Sequence, residues 1–202
     1  YHIDDFHGIV IRSRIDIDKQ FIDKASKLKF IARVGSGLDS IDVDYAKKKG
    51  IVLISAPEGN RNAVGEHALG MILSLFNNLK TADLEIRNGK WLREENRGIE
   101  LEGKTVGLIG YGNTGKAFAK KLKGFDVDVI CYDIAEGVGD ENCKQVSLKE
   151  LQKNTDVLSL HTPFNKQSHK MVNADFIANF TKPFYIINTA RGSAVVTNDL
   201  VD

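Results

Sequence analysis

Between Lys104 and Ala119 an apolar run, Val106 to Ile109, leads into Gly110, Gly112 and Gly115, and a helix-forming stretch follows. Glycines spaced G-x-G-x-x-G carry little weight alone, but after a strand and at the opening of a helix they point to a dinucleotide phosphate turn. Gly110 permits the tight turn, Gly112 lets the backbone approach a pyrophosphate, and Gly115 lets helix and strand pack closely. Amides at the new helix N-terminus face the phosphates, and the helix dipole favours their charge. Tyr111, Asn113 and Thr114 complete this cofactor-binding turn.

Three further strand ends carry polar residues. Val127 to Asp133 ends in an acid, where a carboxylate accepts both ribose hydroxyls and repels a 2′-phosphate, so the site favours NAD over NADP. A glycine-rich turn with a ribose-binding acid also suits S-adenosylmethionine, and that alternative stays open here. The other two ends are His161-Thr162-Pro163 and Thr189-Ala190-Arg191. Ligands of open α/β sheets gather at the carboxyl ends of strands, so both belong on the nicotinamide side. Arg191 offers a planar fork for a substrate carboxylate and for charge developing on a carbonyl oxygen; alone it also reads as a surface ion pair. His161 reads as a strand-end histidine bonding backbone or cofactor rather than as a catalytic base.

The elements that must position these residues follow a β-α-β-α rhythm, which predicts parallel sheets covered by helices. Strands are expected at 9–11, 30–34, 51–54, 105–109, 127–132, 157–160 and 184–188, and helices at 18–27, 42–49, 113–123, 147–153 and 173–180. The breaker-rich stretch Ser55 to Asn60 is the expected domain boundary. After it, Val64, Ala68, Met71, Ile72, Leu75, Phe76 and Leu79 recur at three- and four-residue steps, which predicts one long helix over 62–87 closed by Asn88-Gly89. Trp91 suits either an interface anchor or a core position.

The 202 residues carry 28 basic and 27 acidic side chains, which argues against a general electrostatic nucleic-acid binder. An apolar fraction of 42% supports a globular core, and no run of about 18 apolar residues exists to span a membrane. The residues ahead of the first strand do not read as a signal peptide, and none is expected. Cys131 and Cys143 lie in no metal-ligand spacing, so no metal is expected and two free thiols in a cytoplasmic setting are the default. The chain opens at Tyr1, meets a strand almost at once and stops soon after another, which reads as a piece of something longer.

Five motifs together resemble the D-isomer-specific 2-hydroxyacid dehydrogenase family over essentially the whole chain. They are Arg33 to Asp42, Asn60 to His67, the glycine motif with Asp133, His161 to Pro163, and Asn188 to Gly192. The resemblance implies a Rossmann doubly wound parallel sheet as cofactor lobe (59–202) plus part of a smaller flavodoxin-like α/β substrate lobe (1–58). It implies NAD as cofactor, a small 2-hydroxyacid substrate and a homodimer formed through the cofactor lobe. It makes Arg191 the catalytic arginine and sets backbone amides near Ser36 and Gly37 on the substrate carboxylate. The Arg12-Ser13 pair resembles the phosphoglycerate-oxidising type, in which these residues help hold the substrate's phosphate, and Asn60 matches a substrate contact of that type. The implied reaction is 3-phosphoglycerate to 3-phosphohydroxypyruvate, at the entry to serine synthesis. Alternatives are a dehydrogenase of glycerate, glyoxylate or another small 2-hydroxyacid, and an NAD-sensing corepressor-like binding protein. The family's general base, a histidine paired with a glutamate downstream of the catalytic arginine, has no counterpart among the residues after Arg191. These 202 residues are therefore expected to bind NAD and to turn over little or nothing.

Overall fold

The computed structural model describes residues 2–12 and 14–201. The chain divides into two compact units, Tyr1–Arg61 and Asn62–Asp202, three residues beyond the expected boundary at 58.

In the first unit β1 (Gly8–Ile11), β2 (Phe30–Arg33) and β3 (Val52–Ser55) form a parallel sheet in the order β1-β2-β3. The crossovers contain α1 (Lys19–Lys24) and α2 (Val43–Lys48). Both helices start at an aspartate whose carboxylate accepts an otherwise orphaned N–H: Asp18 Oδ1 from Phe21 at 2.8 Å and Asp42 Oδ1 from Tyr45 at 3.0 Å. The core gathers Ile17, Ile22, Leu28, Ile31, Ala46 and Ile51. Side chains alternate across a strand, so Val10, Val52 and Ile54 fall on the opposite face and are exposed.

The second unit holds a five-stranded parallel sheet of β4 (Thr105–Ile109), β5 (Asp128–Tyr132), β6 (Lys144–Gln145), β7 (Val157–Leu160) and β8 (Tyr185–Asn188). Its order is β6-β5-β4-β7-β8. From β4 the chain steps outward through β5 and β6, then crosses back past β4 to lay down β7 and β8. This is the doubly wound Rossmann order, with its direction reversing between β4 and β7, and the crevice outside the carboxyl ends at that point is where such sheets take ligands. Strands buried on both faces read as continuous apolar runs, and β7 is buried at all four positions. One face of the sheet meets a core of Ile72, Phe76, Leu108, Phe118 and Leu122; the other meets Leu151, Leu158, Leu160, Val172 and Phe176.

The expected single helix over 62–87 is two helices, α3 (Arg61–Phe76) and α4 (Leu79–Arg87). Asn78 adopts the left-handed conformation at φ 51°, and Asn77 Nδ2 donates to Leu73 O at 3.0 Å. The Ile99 N–H takes up Phe76 O at 2.9 Å. Asparagine tolerates left-handed backbone and its amide satisfies a terminal carbonyl, so the pair ends α3 although the apolar spacing runs through it. The remaining helices are α5 (Asn113–Lys121), continued by a 3-10 turn over Leu122–Gly124, α6 (Leu148–Asn154), α7 (Ala174–Ala178) and α8 (Thr197–Val201). The short elements β6 and α8 were not anticipated. Trp91 is 79% exposed, which removes the core reading. No helix of the described residues is long and apolar enough to cross a membrane, and no cluster of metal-binding side chains occurs among them.

Candidate functional site

Because β4, β5, β7 and β8 are parallel, the residues that follow each of them share one edge of the second unit's sheet. That edge brings together Gly110 to Gly115, Asp133, His161 to Pro163 and Thr189 to Arg191.

The three glycines have three different physical reasons. Gly110 has φ +91°, and a Cβ there would stand 2.8 Å from His161 O, so only glycine fits between β4 and β7. A Cβ on Gly115 would collide with Gly110 O, so α5 can approach the turn this closely only without a side chain. A Cβ on Gly112 would meet nothing within 4 Å. The space over Gly112 is therefore open, at the N-terminus of a helix whose first bond into the turn runs from Lys116 N to Gly112 O at 3.0 Å. The N–H groups of Asn113, Thr114 and Gly115 precede that bond and point out of the helix end. An uncrowded backbone with unspent N–H donors suits a pyrophosphate.

Asp133 directly follows β5. Its Oδ2 accepts from Tyr111 N at 2.7 Å and its Oδ1 from Ala135 N at 3.0 Å. Each oxygen retains a lone pair, so the carboxylate is oriented and still able to accept ribose hydroxyls. The Tyr111 side chain turns away from the open side of the turn. It is 1% exposed, its hydroxyl donates to Asp140 Oδ1 at 2.7 Å, and burial together with that bond raises the phenol pKa well above its ordinary value. Tyr111 thus shapes the turn rather than presenting a side chain to a ligand.

His161 follows β7 and is buried. Its Nε2 pairs with Ser159 Oγ at 3.0 Å, and its ring lies 5.5 Å from that of Phe118. Burial lowers its pKa to about 4, so the imidazole is neutral near pH 7. His161 Nδ1 and Thr162 Oγ1 are buried without a hydrogen-bond partner among the described residues. Buried polar atoms left without partners at the crevice are a second sign that this edge accommodates a polar ligand. Pro163 O accepts from Ser168 Oγ at 2.6 Å, which fixes the loop beyond. After β8 the Asn188 side chain clamps the turn, accepting from Ala190 N at 3.0 Å and donating to Arg191 O at 2.9 Å. Thr189 Oγ1 reaches Leu160 O at 3.5 Å, and Arg191 Nη1 donates to Ala190 O at 2.8 Å.

In the first unit, Arg12 follows β1, Ser36 and Gly37 follow β2, and Asn60 lies beyond β3, so these too share one carboxyl edge. Arg12 and Asn60 are exposed, and Ser36 and Gly37 half-buried. Ser13 lies outside the described residues. Sequence reading gave no role to the buttresses Ser159, Asn188 and Asp140, although Asn188 opens the motif Asn188 to Gly192. The first had a signal, since Ser159 and His161 stand two apart on a strand and so share a face; the contact of Asp140 with Tyr111 had none.

Sheet order, glycine turn and oriented acid define the second unit as a Rossmann-type dinucleotide-binding domain. The family model described as "D-isomer specific 2-hydroxyacid dehydrogenase, NAD binding domain" matches residues 69–202, and the chain belongs to that family. The hydroxypyruvate reductase of Thermotoga maritima is 37% identical over 187 residues, covering 93% of this chain and 61% of that protein. The D-3-phosphoglycerate dehydrogenase of Methanocaldococcus jannaschii is 36% identical over 199 residues, covering 96% of this chain and 38% of that protein. Among solved structures, D-lactate dehydrogenase from Aquifex aeolicus complexed with NAD and lactic acid superposes with TM-score 0.89 at 34% identity, covering 98% of this chain and 60% of that one. The chain thus spans between 38% and 61% of the length of these curated relatives.

Proposed function

We propose that this chain belongs to an NAD-dependent dehydrogenase of D-2-hydroxyacids whose substrate is 3-phosphoglycerate, oxidised to 3-phosphohydroxypyruvate in serine synthesis. In this reading residues 59–202 are most of the NAD-binding domain and 1–58 part of the substrate lobe. The observation that carries the cofactor part is the glycine turn: Gly110 wedged at positive φ against His161, open space over Gly112, and Asp133 bonded at 2.7 Å to the turn; the substrate part rests on the Arg12-Ser13 resemblance. Gly110, Gly112, Asn113, Thr114 and Gly115 take the pyrophosphate and Asp133 the ribose; Tyr111 supports the turn. His161, Thr162, Pro163, Thr189 and Ala190 form the nicotinamide side. Bound NAD supplies the hydride acceptor. Arg191 orients the substrate carboxylate and stabilises charge on the reacting oxygen, while Arg12 and Ser13 hold the phosphate and Ser36, Gly37 and Asn60 the remaining substrate contacts.

Calorimetric titration of the 202-residue chain with NADH, with NADPH, and of Asp133→Ala with NADH tests the cofactor part. Tight NADH binding that is weak for NADPH and lost in the variant supports it; equal binding of both nucleotides overturns it. Assay of a longer protein containing this chain tests the substrate. A second reading, a non-phosphorylated substrate of the glycerate or glyoxylate type, is favoured by the similarity to a hydroxypyruvate reductase at 37% identity. Turnover of glycerate but not of 3-phosphoglycerate would select it.

The partner in this reading is a second copy of the chain, docked through the cofactor lobe. Support comes from Leu75, Leu79, Leu84, Ile86 and Trp91, all exposed on or just after α3 and α4. Sedimentation decides between one copy and two. A cytoplasmic location is part of the same reading, supported by Cys131 and Cys143, which are both free and buried.

A further inference from the structure

Tyr111 occupies the middle of the phosphate turn yet sends its side chain into the core with Leu108, Phe118, Cys131 and Cys143. A phenol buried this deeply needs a partner for its hydroxyl. The partner is Asp140, on the connection between β5 and β6, at 2.7 Å. Asp140 is itself held. Its Oδ1 also accepts from Asn142 N at 2.9 Å, its N–H donates to Cys143 O at 3.0 Å, and Lys116 Nζ lies 3.7 Å from its Oδ2. Lys116 comes from the first turn of α5, and its ammonium stands 5.4 Å over the Tyr111 ring. Three segments therefore converge on one tyrosine: the glycine turn, the start of α5 and the β5–β6 connection. On its backbone side the same residue donates its N–H to Asp133 Oδ2 at 2.7 Å.

We propose that Tyr111 and Asp140 are positioning residues for the ribose-binding carboxylate, and so set the preference for NAD over NADP from outside the nucleotide site. Asp140 fixes the phenol, the fixed phenol fixes the Tyr111 backbone, and that N–H holds one oxygen of Asp133. The carboxylate is then presented with lone pairs aimed at the ribose hydroxyls. The Tyr111 hydroxyl is buried in the core, so the link acts on Asp133 through the backbone rather than by contact with a ligand. The inference rests on the reading of Asp133 given above and deepens it. It also explains why a tyrosine with a buried hydroxyl stands at a turn position where any side chain of suitable volume would fill the core.

A purely structural role makes a different prediction. A loosened turn weakens NADH and NADPH alike, because both bind the same phosphate cradle. A misaligned Asp133 weakens NADH alone, since NADPH never gained from that carboxylate. The test is calorimetric titration of both nucleotides into the 202-residue chain and into Tyr111→Phe, Asp140→Ala, Asp140→Asn and the Tyr111→Phe/Asp140→Ala double variant. Tyr111→Phe keeps the ring and fills the core, so it isolates the hydroxyl. It and Asp140→Ala each raise the NADH Kd about tenfold, the scale of one charge-assisted hydrogen bond, and leave the NADPH Kd within about twofold. The double variant is no weaker than either single one, because both break the same link. Asp140→Asn, which keeps an acceptor for the phenol, recovers most of the affinity lost in Asp140→Ala. Parallel weakening of both nucleotides, multiplying effects in the double variant, or unchanged NADH affinity in Tyr111→Phe overturns the inference. Failure of the unsubstituted chain to bind NADH overturns instead the reading beneath it, as does indifference of binding to Asp133→Ala.

Discussion

Acid should destabilise this chain through His161. The imidazole is buried directly after β7 at the carboxyl edge of the sheet, and burial lowers its pKa from 6.5 to about 4. In the unfolded chain the same group takes its proton near 6.5. Between these values the unfolded state holds more protons than the folded one, so stability falls as pH falls, beginning near 6.5 and continuing through 4. Integrating that difference for one site gives a loss of about 2 kcal/mol by pH 5 and about 3 kcal/mol by pH 4, relative to pH 7. A domain of ordinary stability has only about 5–15 kcal/mol in total, so the loss is measurable. Urea unfolding followed by far-UV circular dichroism at pH 7, 6, 5 and 4 is the assay, since Trp91 at 79% exposure is a poor fluorescent reporter. The comparison is His161→Gln, which does not titrate and can still bond Ser159. Carboxylates titrate in both proteins and cancel in the difference. The unsubstituted chain should lose about 3 kcal/mol more than the variant between pH 7 and pH 4. A difference that stays constant across that range would refute the claim that the imidazole is held neutral by burial.

The glycines of the turn should separate stability from binding. Gly110→Ala, forced to φ +91° with its Cβ 2.8 Å from His161 O, should cost about 1–3 kcal/mol in a denaturation curve. Gly112→Ala meets open space, so it should cost about 1 kcal/mol or less as a helix cap while weakening NADH at least about tenfold. Equal effects on both measurements at both positions would contradict the division of roles. Asp156 accepts from Thr105 N at 2.8 Å and pairs with Lys182 at 2.7 Å; burial raises its pKa, but these partners outweigh that and lower it overall. Its contribution is present above pH 3.8 and lost as pH falls through the lower folded value, so Asp156→Asn should narrow the gap between stabilities measured at pH 5 and pH 2. The 202-residue chain, with no histidine or glutamate after Arg191, should form no NADH from 3-phosphoglycerate and NAD; absorbance at the reduced nicotinamide band checks this, and sustained production would overturn the assignment of the missing base.

Much of the fold was legible because its signals are local. Strands at 105–109 and 157–160 appear at the expected residues, since buried parallel strands are continuous apolar runs bounded by breakers. Glycine spacing after such a strand marked the turn at the carboxyl edge, and the acid after the next strand is the Asp133 that accepts from that turn at 2.7 Å. The break at Asn77-Asn78 was hidden because periodicity reports which face a residue occupies, not whether the backbone turns between two helices that present the same face. The unexpected strand β6 is two residues long, too short to carry any alternation.

By itself the sequence determined the element order, the parallel α/β class and the identity of the groups that meet at the carboxyl edge, because each depends on residues close together in the chain. Only the tertiary structure decided what those groups do once assembled. Tyr111 and Asp140 lie 29 residues apart and become partners because the β5–β6 connection folds back beneath the glycine turn. His161 is neutral because its surroundings exclude water, and desolvation depends on everything packed around a group rather than on its neighbours in the chain. Gly110 is indispensable because His161 O, from another strand, occupies the place its side chain would need.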